Sequence, residues 1–507
     1  MGHAELEPED IDESIGPLHS AIKRTWTNLC ETTSIHGLKY TRDDETNNIV
    51  RFIWILIIII MFICAITMVC TFYIDYRSNP TRMNVENDHA PISNLLFPAV
   101  TVCPEVLFSG QRSTNYVQTL KLPTNVTVQR VTELLRINYG FINNNEQFPM
   151  SDALILENVL ELNNLTVTKF IENLRWRCSD LLFRCRLYWT VMDCSTLFQI
   201  ARTFYGHCCS FNIKQEGVNF TNKYSLPGQR DGLSIILYYN DTDYDQITSY
   251  SLGFKLLIHD PDHFPSAHDT AKFVGLNEEV FATITPVETF SSSAVKSLAI
   301  EERQCVLPHE VPMKYFKSYV GAHCELNCRV MNMVKFCGCY AYFFEIKGVK
   351  DRICSYKDVP CLTEKFTDIF GRFRNTQCTC PNVCERIDYD TDLDSADLDL
   401  NVPTVDTFYD DIQKDYAVAH IFFNSQVYRR VRHDLLSNMV TLVSNLGSAF
   451  SLFVGMSMVS AVEIIYYFTV ILQKNYLQEI KARDKLLFRK SAKLKILTRE
   501  QETSKKL

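Results

Sequence analysis

Leu435 to Gln473 is 39 residues long and holds one charged residue, Glu463. A run of about eighteen or more apolar residues reads as a membrane span. At ~1.5 Å per residue a single straight helix of this length would reach roughly 58 Å, against a hydrocarbon core of ~30 Å. The segment therefore tilts strongly, leaves the bilayer or breaks. Its middle points to a break: Ser444, Gly447, Ser448, Ser451, Gly455, Ser457 and Ser460 crowd into 17 residues. Small residues let backbones approach closely, and Gly weakens a helix by ~1 kcal/mol. Non-helical backbone at membrane depth survives only where protein or a water-filled cavity surrounds it. A lone acid there marks a functional position. The expectation is a segment that lines a pore.

A second apolar run, Phe52 to Ile74, is uncharged between Arg51 and Asp75. Its length suffices to cross a bilayer with some tilt. Trp54 near one end and Tyr73 and Tyr76 near the other fit interface positions. Residues 1 to about 30 are acidic and hold no apolar h-region, so no signal peptide is expected. The tail Lys474 to Leu507 carries eleven Lys and Arg against four acids, a cytoplasmic flank by the positive-inside rule. Two spans put both termini in the cytoplasm. The expected divisions are an N-terminal segment 1–51, a first span 52–74, an exterior domain 75–434, a second span 435–473 and a basic tail 474–507.

Cysteine placement agrees. Of 19 cysteines, Cys30, Cys64 and Cys70 lie in or before the first span, and the other sixteen fall between Cys103 and Cys384. That pattern reads as a disulfide framework in an oxidising compartment. Asn125, Asn164, Asn219 and Asn240 each head an N-x-T glycosylation triplet in the same stretch. A zinc reading of the C-x-C pairs is the weaker one outside the cell, and no metal site is expected. The net charge of −8 argues against nucleic acid. No Ser-His-Asp arrangement, P-loop or zincin motif is present, so no enzyme and no cofactor is expected.

The exterior stretch reads as α+β. Strands are expected at Phe97–Cys103, Gly232–Tyr239, Leu252–His259, Leu298–Ile300 and Ala417–Phe423. Helical stretches are expected within Val131–Phe170, at Tyr315–Tyr319 and at Met331–Phe336. Asp388 to Asp411 holds nine Asp and no Lys or Arg. On a strand, Asp388, Asp390, Asp392 and Asp394 share one face. That face is either a cation-concentrating or ion-sensing surface, or a solvated edge that resists strand pairing.

The run Tyr319-x4-Cys324-x3-Cys328-x8-Cys337-Gly338-Cys339, with Cys378-Thr379-Cys380-Pro381-x2-Cys384-x4-Tyr389, resembles the signature of the degenerin/epithelial sodium channel superfamily, which includes the acid-sensing channels. The His36-Gly37 pair before the first span, Phe97 to Cys103, Cys209-Ser210-Phe211-Asn212 and Ser444 to Glu463 are similar to further family segments. The resemblance covers roughly residues 34–467. Cys208 beside Cys209, with Cys194 upstream, is most like the insect pickpocket branch.

The resemblance implies a trimer of subunits, each with two transmembrane helices and a hand-like palm, finger and thumb ectodomain, the thumb-like block spanning about 305–389. It implies pairs Cys305–Cys384, Cys324–Cys380, Cys328–Cys378, Cys337–Cys361, Cys339–Cys354, Cys103–Cys209 and Cys178–Cys185, with Cys194–Cys208 left over. It implies a selectivity filter at Gly455-Met456-Ser457, with Met456 departing from the commoner Ala or Ser. Glu463 becomes an inner-pore acid, Ser444 a gate position where bulky residues hold channels open, Ser451 an amiloride-block position and His36-Gly37 a gating element. Plain helix packing is the competing account of Ser444, Ser451 and the Gly-x-Ser triplet. The expected function is a sodium-permeable, amiloride-class channel subunit in the plasma membrane. It would assemble as a homo- or heterotrimer with related subunits, with an extracellular ligand among the candidate stimuli. The rival readings are an ATP-gated-type trimeric channel and a two-span scavenger or lipid receptor.

Overall fold

The computed structural model describes residues 16–42, 47–78, 80–142, 147–214, 226–238, 251–265, 271–316, 318–344, 350–370 and 380–504. The chain separates into two units. One comprises residues 1–80 and 435–507; the other is Thr81–Asp434.

The first unit is helical. α1 (Pro17–Thr32) and α2 (Asn48–Ser78) precede the excursion into the second unit. α3 (Met439–Val454), α4 (Met458–Tyr466) and α5 (Leu472–Ser504) follow it, with a π-helical turn at Tyr467–Ile471 joining the last two. α2 alone is long and apolar enough to cross a membrane by itself among the described residues. The α3 and α4–α5 stretch qualifies only as a pair, bent by 72° at the break. The helix ends do not coincide with the limits 435 and 473 expected for the second span. Leu435 still belongs to a strand, and the helix begins at Met439, where the Asn438 side chain caps it by accepting from the Thr441 N–H. At the other end α5 runs on past Gln473 through the basic tail to Ser504. Its Ala482, Asn475 and Glu479 are buried, and Asn475 and Glu479 bond α1: Asn475 Nδ2 donates to Thr25 Oγ1 at 2.9 Å, and Ser20 Oγ donates to Glu479 Oε1 at 2.7 Å. α1 is thus the tertiary partner of the first turns of α5, which the tail's charge count could not reveal.

The second unit is a disulfide-rich α+β domain. Its strands are β1 (Thr81–Pro91), β2 (Ala99–Pro104), β3 (Leu182–Leu187), β4 (Thr190–Met192), β5 (Phe198–Thr203), β6 (Gly206–Phe211), β7 (Leu233–Tyr238), β8 (Gly253–His259), β9 (Lys272–Gly275), β10 (Glu278–Ser291), β11 (Arg386–Asp397), β12 (Tyr416–Phe423) and β13 (Val427–Leu435). One sheet runs β1-β13-β10-β12-β7-β3-β4, with β11 also paired to β10; the other runs β5-β6-β2-β8-β9. β7 and β12 are almost wholly buried and read as continuous apolar runs, as central strands do. One apolar cluster fills the space around both sheets, including Phe97, Phe211 and Phe254. A second unites the helices of residues 110–174 with helix Gly321–Cys337 and the aromatic run Tyr340–Phe344.

Two local expectations fail. Leu298–Ile300 is no strand; Ile300 opens a short helix that ends at Arg303, whose buried guanidinium bonds Glu310 and the carbonyls of Lys296, Leu298 and Cys305. Tyr315–Tyr319 is no helix. Its spacing reflects tertiary seats: the Tyr315 N–H donates to Asn327 Oδ1, and Tyr319 bonds Pro308 through its backbone and Pro381 through its hydroxyl.

Candidate ion-conduction site

α3 carries Ser444, Gly447, Ser448 and Ser451 on one side. Leu442 and Ala449 are buried, and α3 packs against α2. At ~100° per residue, Ser444, Ser448 and Ser451 lie about 180–240° round the helix from Leu442. Ser444, Gly447, Ser448, Ser451 and Leu452 line one open groove. The gate and blocker positions expected from sequence thus share one face of one helix, and both side chains are exposed.

The break follows at once. Gly455 has φ +69°, a left-handed conformation that costs other residues about 1–2 kcal/mol. It closes α3 as its C-cap, its N–H donating to the Ser451 carbonyl at 3.0 Å. Ser457 opens α4 as its N-cap. Ser457 Oγ accepts from the Ser460 N–H at 3.2 Å, and Ser460 Oγ accepts from the Ser457 N–H at 3.2 Å. Each hydroxyl satisfies an N–H that the helix start would leave unpaired. Met456 therefore sits between a helix C-terminus and a helix N-terminus. Glu463 lies in the next turn and a half of α4, exposed in the single chain.

His36 and Gly37 come to this break. The His36 N–H donates to the Val454 carbonyl at 3.0 Å. A Cβ added at Gly455 would lie 2.6 Å from atoms of the His36 ring. Gly37 has φ +81° and turns the chain so that Tyr40 stacks on Trp54 of α2, with ring centroids 4.7 Å apart. The contact continues on either side: Ser34 Oγ lies 2.7 Å from Ser460 Oγ, and Thr32 Oγ1 lies 2.8 Å from the Tyr467 hydroxyl. Sequence reasoning missed Ser34, Thr32 and the role of Ser460. The Ser457-x-x-Ser460 spacing was a capping signal in plain view.

In the Thr81–Asp434 unit the disulfides are Cys305–Cys384, Cys324–Cys380, Cys337–Cys361 and Cys339–Cys354, with Cys328 also bonded and Cys378 outside the described residues. The other three pairs correct the expectation. Cys103 pairs with Cys208, Cys178 with Cys209, and Cys185 with Cys194, not Cys103–Cys209, Cys178–Cys185 and Cys194–Cys208. Strand register explains the exchange. Val102 faces Cys209 across β2 and β6, so the next pair along is Cys103 with Cys208. Successive side chains point to opposite faces, which sends Cys209 the other way, to Cys178. The ligand-type atoms of Cys339, Cys354 and Asp358 cluster. The two sulfurs are bonded to each other, and Asp358 binds Arg352 and Ser355.

The acidic run forms β11, antiparallel to β10, with Asp388, Asp390, Asp392 and Asp394 all exposed on one face and Tyr389, Thr391 and Leu393 turned inward. Asn125 and Asn164 are exposed, both at positive φ; Asn219 and Asn240 lie outside the described residues.

Comparison with known proteins fits this geometry. A profile of the amiloride-sensitive sodium channel family matches residues 29–467. Sodium channel protein Nach of Drosophila ananassae is 55% identical over 96% of this chain and 95% of its own length. Pickpocket protein 28 of Drosophila melanogaster is 23% identical over 91% of this chain and 81% of its own. The epithelial sodium channel subunit alpha of Rattus norvegicus is 22% identical, covering 91% and 77%. From the cysteine block to the broken apolar helix, the chain belongs to the amiloride-sensitive sodium channel family, a family of ion channels and not of enzymes.

Proposed function

We propose that this chain is a subunit of a trimeric, sodium-permeable, amiloride-class channel of the plasma membrane. It crosses the bilayer twice, through α2 and through the broken α3–α4–α5 stretch, with both termini cytoplasmic. The observation that carries the reading is the break at Gly455-Met456-Ser457 inside an otherwise apolar helix. A helix C-terminus presents carbonyl oxygens and the negative end of its dipole, which favour a cation. Three copies around an axis would supply a ring of such oxygens, with the small face of α3 lining the path and Glu463 drawing cations beyond it. The apolar side chains exposed all along α2, with only Ala65 buried, suit lipid contact. Asn125 and Asn164 would carry glycans outside the cell, and Asn219 and Asn240 are proposed with them.

His36-Gly37 is proposed as a gating element because it bonds the last carbonyl before the break. Conduction is passive, and the stimulus acts by favouring the open or the closed state. Related subunits are the proposed partners, and Na+ is the permeant ion with no cofactor.

The test is expression in oocytes, alone and with related subunits, with sodium replacement and amiloride. An inward current carried by sodium and blocked by amiloride is expected. A bulky replacement such as Ser444→Tyr should raise constitutive current, and Ser451→Tyr should weaken block. Surface-expressed protein whose current ignores sodium removal would overturn the reading.

A further inference from the structure

Ser460 is buried, 1% exposed, and its hydroxyl is surrounded by three polar partners at the break. Its Oγ accepts from the Ser457 N–H at 3.2 Å, lies 3.0 Å from Ser457 Oγ and lies 2.7 Å from Ser34 Oγ. A serine hydroxyl has one proton to give and two lone pairs to share. Three partners use all of them. The proton order along the chain Ser34–Ser460–Ser457 then has two solutions. In one, Ser34 donates to Ser460 and Ser460 donates to Ser457. Ser457 Oγ already accepts from the Ser460 N–H. It would accept twice and have no lone pair left for an ion. In the other, Ser457 donates to Ser460 and Ser460 donates to Ser34. Ser457 Oγ then keeps one lone pair free.

We propose that Ser460 is a positioning residue for ion selection, taking the Ser457 proton and passing its own to Ser34 so that the Ser457 oxygen faces a permeating cation unprotonated on that side. The inference rests on the reading of Gly455-Met456-Ser457 as the filter. A cation at the break selects the second order, since a hydroxyl proton aimed at it is repelled. The N-terminal segment thereby supplies the far end of the relay, and selectivity depends on a residue more than four hundred positions away in sequence. Without the Ser460 hydroxyl, Ser457 has no inward acceptor and its proton turns to the pore.

The experiment compares full-length channels under bi-ionic sodium and potassium, reading permeability ratio from reversal potential at matched surface level. Ser460→Ala should lower the sodium preference about fivefold, the ratio a single hydrogen bond is worth. Ser460→Thr, which keeps the hydroxyl, should hold it within about twofold. Ser34→Ala, which leaves the Ser457–Ser460 cap intact, should move it the same way by less, and stands in if Ser460→Ala carries no current. A current-free arm asks whether Ser34→Cys with Ser460→Cys cross-links in isolated membranes under a mild oxidant, the two native hydroxyl oxygens lying 2.7 Å apart. An unchanged ratio in Ser460→Ala beside a shifted ratio in Ser457→Ala overturns the role of Ser460 alone. An unchanged ratio in Ser457→Ala overturns the Ser457 hydroxyl as a cation ligand, and a current that ignores sodium removal overturns the filter reading itself. An unchanged ratio in Ser34→Ala beside a shifted ratio in Ser460→Ala overturns the relay, and the cross-link supports the contact.

Discussion

The Thr81–Asp434 unit and the helical unit are held together by different chemistry. The first has seven disulfides defined among the described residues and two large apolar clusters dense in aromatic rings. In the helical unit Cys30, Cys64 and Cys70 are free, and the polar ties at the break are hydrogen bonds: His36 to Val454, Ser34 to Ser460, Thr32 to Tyr467. A disulfide is typically worth ~2–4 kcal/mol and rearranges, uncatalysed, only over minutes to hours. A hydrogen bond is worth ~0.5–1.5 kcal/mol net and re-forms with new partners at little cost. The covalent unit is built to keep its shape. The break is held by weaker, reversible ties, as the proposed gating role of His36-Gly37 requires.

The largest expected effect breaks the covalent side. Replacing Cys324 and Cys380 together with Ser should cost ~2–5 kcal/mol, seen as lower denaturation midpoint and faster trypsin cleavage of the purified channel. If the midpoint stays put, the contrast between the units is wrong.

Next comes the break. Gly455→Ala forces a Cβ to within 2.6 Å of the His36 ring at a positive φ. It should cost ~1–2 kcal/mol from the backbone alone and more from the displaced ring. Current per surface channel should change at least about tenfold. His36→Ala in the same chain should recover part of the change by removing the ring but not the backbone strain. Equal effects of Gly455→Ala with and without His36 would sever the proposed contact.

A pH dependence sharpens the picture within the exterior unit. Burial, and after it the charges of Arg175 and Arg202, push the His207 imidazole down to about 3 from 6.5. Arg202 faces His207 directly across β5 and β6. The folded pKa is below the unfolded one, so the fold binds fewer protons. Its stability contribution is complete above about pH 6.5 and drains away as pH falls toward about 3. Thermal melts of the detergent-purified chain should therefore fall through that window, and His207→Gln should flatten the fall. A mutant curve parallel to the wild type would dismiss this group as the cause.

Smaller still is the α1–α5 seam. Asn475→Ala removes the bond to Thr25 and should loosen α1 by ~1 kcal/mol, read as faster amide exchange over Pro17–Thr32. Smallest is Asp390→Asn on the exposed face of β11, within ~0.5 kcal/mol in stability. Its informative readout is whether current loses part of its dependence on external ionic strength, which separates a cation-concentrating face from a solvated edge.

Much of the architecture was legible in the chain. An uncharged run the length of a bilayer can bury its backbone polar groups only as a helix, so Phe52–Ile74 had to lie within one. An overlong apolar run had to tilt, leave the bilayer or break; its clustered Gly and Ser pointed to the break, and Gly455 could take the left-handed turn at least cost. β-Branched and aromatic runs between turn residues placed the strands around Phe97, Leu233, Leu256 and Val418, because strand periodicity is local.

Tertiary structure decided what depends on partners remote in sequence. Which of Cys208 and Cys209 meets Cys103 is set by a one-residue register between β6 and β2, and a one-residue slip reverses every side chain. Tyr315 and Tyr319 carried a helix-like spacing that their buried seats overrode. The basic tail is a continuous helix against α1, and Ser460 became more than a small packing residue only when Ser34 arrived beside it. Sequence alone marked the two long apolar runs, the Gly- and Ser-rich stretch that weakens the second and the segment that carries the cysteines, because those follow from local solvation and backbone geometry. Only the fold decided which cysteines meet and what grips the break, because hydrogen bonds and disulfides are satisfied by proximity in space.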